Sequence, residues 1–430
     1  MGLLADPAPG NRRRWVMLGL ASISSTFSWF ARNSLTVIIP DLSADLNMSS
    51  QDLGLLSSLF FYFFAGSQVP LGILLTRFGV RPVMSIGIML AALGCFIFAL
   101  APDASMAYVG RSMIGMGTSV TVMGGLAIVA LWFPIRRFAF LAGMVMAIAG
   151  LGSLAATSPW ALITSAIGWR GGTIIVAVVF TIMAIACFCV IRNPPRAKDA
   201  PVNQHPYKDA LQKIMLAPRF WIMGITSGCR YGVIGTLQAA WAGPLLMHGF
   251  GMSQLSASHI LSLFAIGYIV GMPLLGWISD KLMTRKYVIC VGQGLLGVLI
   301  FTFFFWTPET PLWVVAISFA LIPIFASAGN TVFAHARELT PPDLAAMAIT
   351  WINVFPMLGG AVFIQVTSMF LPSDVTMLNH PQELWHLWVL GVAAMALTVL
   401  CYLLFIPESP AMKEARAEAR AAREQAKLEK

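Results

Sequence analysis

Long apolar runs recur along this sequence at loop-sized intervals, and they constrain the fold more than any other feature. A helix rises 1.5 Å per residue, so about 20 apolar residues cross a hydrocarbon layer of about 30 Å. Inside that layer each backbone amide must be satisfied without water, which for runs of this length means a helix. Such runs are read at residues 15–40, 52–76, 82–101, 105–131, 138–161, 171–191, 220–247, 256–279, 287–306, 311–334, 345–371 and 385–406. Of the 430 residues, 58% are hydrophobic and 10% charged, too little charge to clothe a water-facing surface. The predicted class is an all-α membrane protein with twelve transmembrane helices.

A net charge of +9 raises nucleic acid as a partner, and the placement of the charge excludes it. All 27 Lys and Arg except Arg32, Arg111, Arg170 and Arg230 fall at the N-terminus, in alternate loops or in the tail: Arg12 to Arg14, Arg77 and Arg81, Arg136 and Arg137, Arg192 to Arg219, Lys281 to Lys286, Arg337, and Lys413 onward. The opposite loops carry Asp41, Asp45, Asp52, Asp103, Glu309, Asp374 and Glu383, with Arg170 as their one base. This is the positive-inside pattern, and it predicts a multi-pass protein of a bacterial inner membrane with both termini cytoplasmic. The first apolar run is long enough to remain as a span, an uncleaved signal anchor. The six cysteines, Cys95, Cys187, Cys189, Cys229, Cys290 and Cys401, lie inside spans without metal-ligand company and read as small core hydrophobes.

The longest polar break, residues 192–219, is rich in Pro and charge and divides six spans from six. It predicts an N-terminal six-helix bundle over 1–191, a cytoplasmic linker over 192–219, a C-terminal bundle over 220–408 and a cytoplasmic tail over 409–430, the tail mixing charge signs at helical spacing. Around the linker the sequence repeats: "VPLGILLTRFGVRP" ends the second span and "MPLLGWISDKLMTRK" the eighth. Repeats of this kind place a substrate site between the halves near the midplane. These loops resemble the signature of the major facilitator superfamily between its second and third helices. Gly276, Asp280, Lys281, Arg285 and Lys286 match it in the second half; Gly72, Arg77, Gly79 and Arg81 match it in the first, where Thr76 replaces the acid. The resemblance implies the major facilitator fold, two pseudo-symmetric six-helix bundles, and a cytoplasmic gate in which Arg77, Arg81, Asp280, Lys281 and Arg285 latch one bundle to the other. In the fourth span Arg111, Gly115 and Gly117 resemble another pattern of the superfamily, and glycines there and at 143, 150 and 152 suit close helix packing.

All 18 acidic residues fall in loops, tails or span ends, whereas Arg32, Arg111 and Arg230 fall within spans. An arginine at a helix centre costs about 2.5–3.5 kcal/mol on insertion scales unless it meets protein or water. With no carboxylate at hand, the natural partner is an anion that comes and goes. Arg32 lies nine residues before Asp41 and Arg230 ten after Phe220, about 15 Å from an interface and near the midplane. Arg111 lies about 9 Å from the outer end of its span, where it can face the cavity, snorkel or bond to carbonyls. Arg32 and Arg230 stand at equivalent positions of the two halves, and two guanidinium forks suit an oxyanion.

"WFARNSLTVIIPDL", "RYGVIGTLQAAWAGPLL", "LLGWISDK" and "LTPPDLAAMAITWINVFPMLGG" resemble the organophosphate:phosphate antiporter family, which includes the glycerol-3-phosphate and hexose-phosphate carriers. The resemblance implies that Arg32 and Arg230 bind the anion. It departs at the family's fifth-helix substrate His, which has no counterpart in "GMVMAIAGLGSLA", and at a basic second-helix position occupied here by Gln68. "FYFFAGSQVPLG" is similar instead to the anion:cation symporters, which carry organic acids such as sugar acids with protons; Asp41, His259 and His335 are the available proton carriers. Gln238 and Trp241 follow Arg230 at eight and eleven residues and share its helical face. Asn33, Tyr62, Gln68, Tyr231, Asn330, Asn353 and Gln365 offer the uncharged hydrogen bonds that a polyol phosphate or sugar acid needs, and serve equally as interhelical contacts.

The sequence thus predicts a monomeric secondary transporter for a small organic anion, an organophosphate or a sugar acid or other carboxylate, working by alternating access in membrane lipid. The scarcity of buried acids favours antiport or uniport, with proton symport as the alternative and a transporter-like ligand sensor as a second. An exporter of lipophilic cations would need a cavity of opposite sign. No nucleophile, base, metal or cofactor constellation points to an enzyme.

Overall fold

The computed structural model describes residues 12–133, 138–193, 212, 214–340, 348, 351–371, 381–410, 412–414 and 416–418. It is all-helical among them, with twelve spans in the order the apolar runs predict. The first half comprises α1 (Arg12–Asn33), α2 (Leu35–Leu46), α3 (Ser50–Phe78), α4 (Val80–Ala99), α5 (Ala104–Thr118), α6 (Val120–Trp132), α7 (Phe138–Ala155) and α8 (Ser158–Val190). The second comprises α9 (Pro218–Thr236), α10 (Gln254–Lys281), α11 (Lys286–Thr302), α12 (Leu312–Ser327), α13 (Val332–Leu339), α14 (Val354–Ser368) and α15 (Trp385–Phe405). Several spans are two helices in line. The first is α1 and α2 across a turn at Ser34, and the tenth is α12 and α13 joined by the 3₁₀ turn Ala328–Thr331. Within α8 the chain reverses at Gly168 (φ 74°), a backbone conformation with little cost for glycine alone, so its two parts finish the fifth span and form the sixth.

The seventh span continues α9 through two π-helical stretches, Leu237–Trp241 and Leu245–Gly249. Each extra residue per turn rotates the helix beyond it. Trp241, at the end of the first of these stretches, is fully buried, as is Arg230.

Helices within each half meet at glycines. A Cβ on Gly152 of α7 would overlap the Thr26 carbonyl of α1, and one on Gly359 of α14 would overlap Gly228 of α9. In lipid, where burial of apolar surface adds little, such close backbone approach holds helices together. The halves join on the side away from the chain ends. Thr36 of α2 donates to the Ala240 carbonyl at 3.2 Å and accepts from the Gly243 amide at 3.2 Å. Gln254 of α10 donates to the Val37 carbonyl at 3.1 Å, and Thr157 meets Ser262 at 2.8 Å. Near the outer ends of α3 and α14, Gly54 abuts Ser368, and Tyr62 donates to Gln365 at 2.8 Å. On the same face Arg170 pairs with Asp45 at 3.0 Å and donates to the Ala99 and Ala101 carbonyls.

The cysteines are all free thiols; Cys95, Cys187 and Cys290 are buried and Cys229 and Cys401 half-buried, but Cys189 is exposed rather than in a core. Replacing Gly152 by Ala is expected to cost about 1–3 kcal/mol through overpacking against a backbone atom that cannot move aside. A lowered thermal midpoint of purified protein would register it, and an unchanged midpoint would refute the contact.

Candidate functional site

The break in the first span is what positions the central arginines. Ending α1 at Asn33 frees carbonyls in its last turn, and long-range donors take them up. Arg111 of α5 donates from Nη1 to the Ala31 carbonyl at 2.7 Å and from Nη2 to that of Arg32 at 3.1 Å. Trp160 donates from Nε1 to the Ser34 carbonyl at 3.0 Å. The Arg111 guanidinium also lies over the Phe60 ring, 4.7 Å from its centroid, a favourable cation–π placement. Of the roles open to it from sequence, Arg111 adopts carbonyl binding, and it holds Arg32 from behind.

Arg32 itself reaches across the interface between the halves. Its Nη1 donates to the Tyr231 hydroxyl of α9 at 3.0 Å, and its guanidinium lies 5.4 Å from the Trp29 ring and 5.2 Å from the Phe64 ring. Arg230, the neighbour of Tyr231, turns the other way. It is 1% exposed, donates from Nη1 to the Ala326 carbonyl at 3.2 Å and crosses the 3₁₀ turn of the tenth span at Gly329. A Cβ on Gly329 would overlap the Arg230 Cδ and stand 3.1 Å from Nε2 of Gln293, so only glycine leaves the guanidinium this berth. The two arginines therefore flank Tyr231 without facing one another directly. No ion pair reaches Arg32, Arg111 or Arg230 among the described residues, and the Nε of each is buried without a hydrogen-bond partner.

The other polar candidates divide by location. Tyr62 and Gln365 join the halves through their hydrogen bond. Asn33 donates to Ser153 at 2.7 Å inside the first half, and Gln68 donates to the Ser119 carbonyl at 3.4 Å while its Oε1 has no partner. Gln238, Asn330 and Asn353 are half-buried, and the Asn330 Nδ2 and Trp241 Nε1 are buried without partners. Gln293 of α11 is absent from the residues that sequence reasoning singles out, yet it is fully buried with neither amide atom bonded, beside Arg230. A wholly apolar span around a lone glutamine was the available signal. Among the proton-carrier candidates, Asp41 accepts from Gln254 at 3.5 Å, His259 is exposed, and His335 is buried with Nε2 3.0 Å from the Pro407 carbonyl.

At the opposite end the contacts described for Arg81, Asp280 and Arg285, residues expected to latch the bundles, run within their own halves. Arg285 pairs with Asp280 at 2.6 Å and with Glu338 at 3.1 Å, all in the second half. Arg81 donates from Nε to the Phe188 carbonyl at 2.8 Å, Arg77 lies over the Phe78 ring, and Lys281 lies over Trp277. Glu338 and Glu408 complete this cluster. Glu408 follows α15 and caps α11, accepting from the Thr284 hydroxyl and from the amides of Arg285 at 3.0 Å, Ser409 at 3.1 Å and Lys286 at 3.4 Å. Burial disfavours its charge, but these donors outweigh burial and hold its carboxyl below the usual glutamate range.

Comparison with known proteins agrees with this architecture. A family profile described as Major Facilitator Superfamily matches residues 21–364 and 229–428. The uncharacterized transporter YybO of Bacillus subtilis (strain 168) is 23% identical over 399 residues, covering 86% of this chain and 89% of its own. The galacturonate transporter of Dickeya chrysanthemi is 23% identical over 310 residues, covering 66% of this chain and 89% of its own. Among solved structures, a bacterial homologue of the human lysosomal transporter Spinster, inward-facing and unoccupied, superposes with a TM-score of 0.78 at 17% identity, over 92% of this chain and 98% of that one.

Because the folded-state pKa of Glu408 is depressed, its contribution to stability is fully present above the unfolded-state value of about 4.3 and is lost as pH falls through the lower folded value. Thermal unfolding of purified protein between neutral and strongly acidic pH is expected to show that loss, and Glu408→Gln should be less stable at neutral pH and flatter across the acid range. An identical acid profile in the variant would remove Glu408 from the stabilising set.

Proposed function

The chain belongs to the Major Facilitator Superfamily, and from that premise we propose that it is a secondary active transporter moving a small organic anion across the membrane by alternating access, with Arg32 and Arg230 as the anion clamp. The carrying observation is the pair of buried guanidiniums on the first and seventh spans, with no carboxylate paired to either among the described residues. A buried cation left without a counter-charge is expensive, and a bound oxyanion supplies two or more charge-assisted hydrogen bonds to each fork. Tyr231, already the acceptor from Arg32, lies where it can donate its proton to the same anion. The galacturonate transporter among the relatives favours a sugar acid or similar carboxylate over an organophosphate. Gln68 in place of a second-helix base, and the missing fifth-helix His, favour it too.

The units that move are residues 1–191 and 220–408, joined by 192–219, in a monomer whose two termini face the cytoplasm of a bacterial cell. The placement of the basic loops supports that orientation. The bonds at Thr36, Gln254 and Thr157 hold the halves together on the face away from the termini, which in this orientation is the periplasmic side. Anion exchange returns the positively charged site in an occupied state and needs no buried acid. Proton symport is the second reading, favoured by the similarity of "FYFFAGSQVPLG" to the anion:cation symporters; it needs Asp41, His259 or His335 to carry the proton. A ligand sensor on the same scaffold would bind the anion without moving it.

Thermal stabilisation of purified protein by a panel of sugar acids, other carboxylates, phosphate esters and cationic drugs is the direct test. One anion class is expected to stabilise the protein, and Arg32→Ala and Arg230→Ala each to abolish the response. Stabilisation by cations alone, or a response unchanged in both variants, would discard the clamp. Uptake into proteoliposomes separates the readings: exchange that ignores pH supports antiport, strict proton dependence supports symport, and binding without flux supports a sensor. Gly243→Ala tests the gate. A Cβ there would overlap the Thr36 carbonyl, so the variant is expected to keep binding yet lose most turnover because that face cannot reclose, and wild-type turnover would show the contact to be dispensable.

A further inference from the structure

From Val288 to Ile300 every residue of α11 except Gln293 is apolar or glycine. Gln293 is fully buried, and neither its Oε1 nor its Nε2 has a hydrogen-bond partner among the described residues. A primary amide in that condition has lost water at both ends without a replacement. Helix packing does not call for it either. The contact that seats α11 on the tenth-span turn is made by the preceding residue, Gly292, where a Cβ would overlap that of Ala328.

What the amide meets is Arg230. A Cβ built on Gly329 would lie 2.5 Å from the Arg230 Nε and 3.1 Å from the Gln293 Nε2. The two nitrogens are therefore separated by no more than the sum of those distances, about 5.6 Å. Arg230 brings a buried Nε–H without an acceptor, and Gln293 a buried carbonyl oxygen without a donor. A half-turn of the amide about its last side-chain bond exchanges its oxygen and nitrogen within the same volume. That turn puts an acceptor on the Gly329 side of the group, where the guanidinium crosses.

We propose that Gln293 is the docking residue of Arg230: its amide oxygen holds the guanidinium over Gly329 until an anion binds beside Tyr231, and then releases it. Gln293 touches no solute in this scheme. It is a positioning residue, acting through the fraction of protein whose Arg230 stands forward. A neutral amide suits the task. An apolar side chain would leave the charge unheld, and a carboxylate would hold it permanently by charge-assisted bonds. Given Arg230 as half of the anion clamp, on which this role rests, apparent affinity is set from behind that residue.

Thermal midpoints of purified protein without solute test the contact alone. Gln293→Glu is expected to be tolerated beside Arg230 and to lower the midpoint in the Arg230→Ala background, where the buried acid has no partner, so that the two substitutions couple. Additive effects would overturn the contact. Titration with galacturonate and with inorganic phosphate, followed by midpoint shift, tests the role. Gln293→Met, which keeps the shape without the polar atoms, is expected to bind the anion about tenfold more tightly, the worth of one hydrogen bond to a charged group. Gln293→Glu should bind it about tenfold less tightly. Gly329→Ala reaches the first result without touching Gln293, because its Cβ would displace the Arg230 side chain, and it decides if Gln293→Met does not fold. Affinity unchanged or weakened in whichever of these two variants folds would overturn the docking role. An anion response that survives in Arg230→Ala would refute the clamp, and the role with it, even where the solute-free coupling stands.

Discussion

Three guanidinium groups are buried with no acid paired to any of them among the described residues, and much of the architecture is arranged around housing them. Arg111 shows how the fold does it. A break in the first span exposes carbonyls in the last turn of α1, and a guanidinium with several donors in a fixed fork can take two of them at once while stacking on Phe60. Break and arginine need one another: the carbonyls satisfy a charge that would otherwise have to be shed, and the charge satisfies carbonyls that no water can reach. The side chain of Arg32 leaves α1 in its last turn, so the clamp behind it also fixes where Arg32 can point.

The repeat seen in the sequence is broken in chemistry. Arg32 and Arg230 occupy equivalent places in the first and seventh spans, yet one crosses to Tyr231 and the other folds back over Gly329 toward Gln293. The hairpins diverge likewise. In the second half Asp280, Arg285, Glu338 and Glu408 form one cluster of ion pairs and cap bonds, while the first-half hairpin is basic without a local acid. Two halves that were chemically alike would have no reason to settle in one arrangement over its mirror. Unequal ends give the two orientations of an alternating-access protein different energies.

The spans and their order were legible in the sequence because they rest on composition and on rise per residue, which lipid enforces strictly. The features that escaped it depend on geometry that a linear pattern does not carry. The π-helical stretches of the seventh span change its residues per turn, and no residue type announces such an insertion. Gln293 is visible as a lone amide in an apolar run, but its nearness to Arg230 arises only where α11 meets the tenth-span turn at Gly329. Glu408 caps a helix more than a hundred residues earlier in the chain, a pairing without local signature. Glu338, which pairs with Arg285 at 3.1 Å, lies more than fifty residues from it in the chain and is likewise unannounced by any local pattern.

The berth of Arg230 bears on the proposed mechanism more than its depth does. One carbonyl at 3.2 Å is a modest partner for a full charge, and Gln293, Tyr402 and Ser227 lie buried with unbonded polar atoms in the same half. Each such atom costs about 1–3 kcal/mol when left unpaired, so the berth is polar enough to receive the guanidinium and too poor to hold it against a stronger ligand. Arg32, tied to a neutral hydroxyl, is in a similar position. An anion arriving beside Tyr231 would offer both arginines what neither has. Drawing Arg230 forward off Gly329 would change how α9 meets the tenth span, which is the coupling between binding and helix movement that an alternating-access carrier requires.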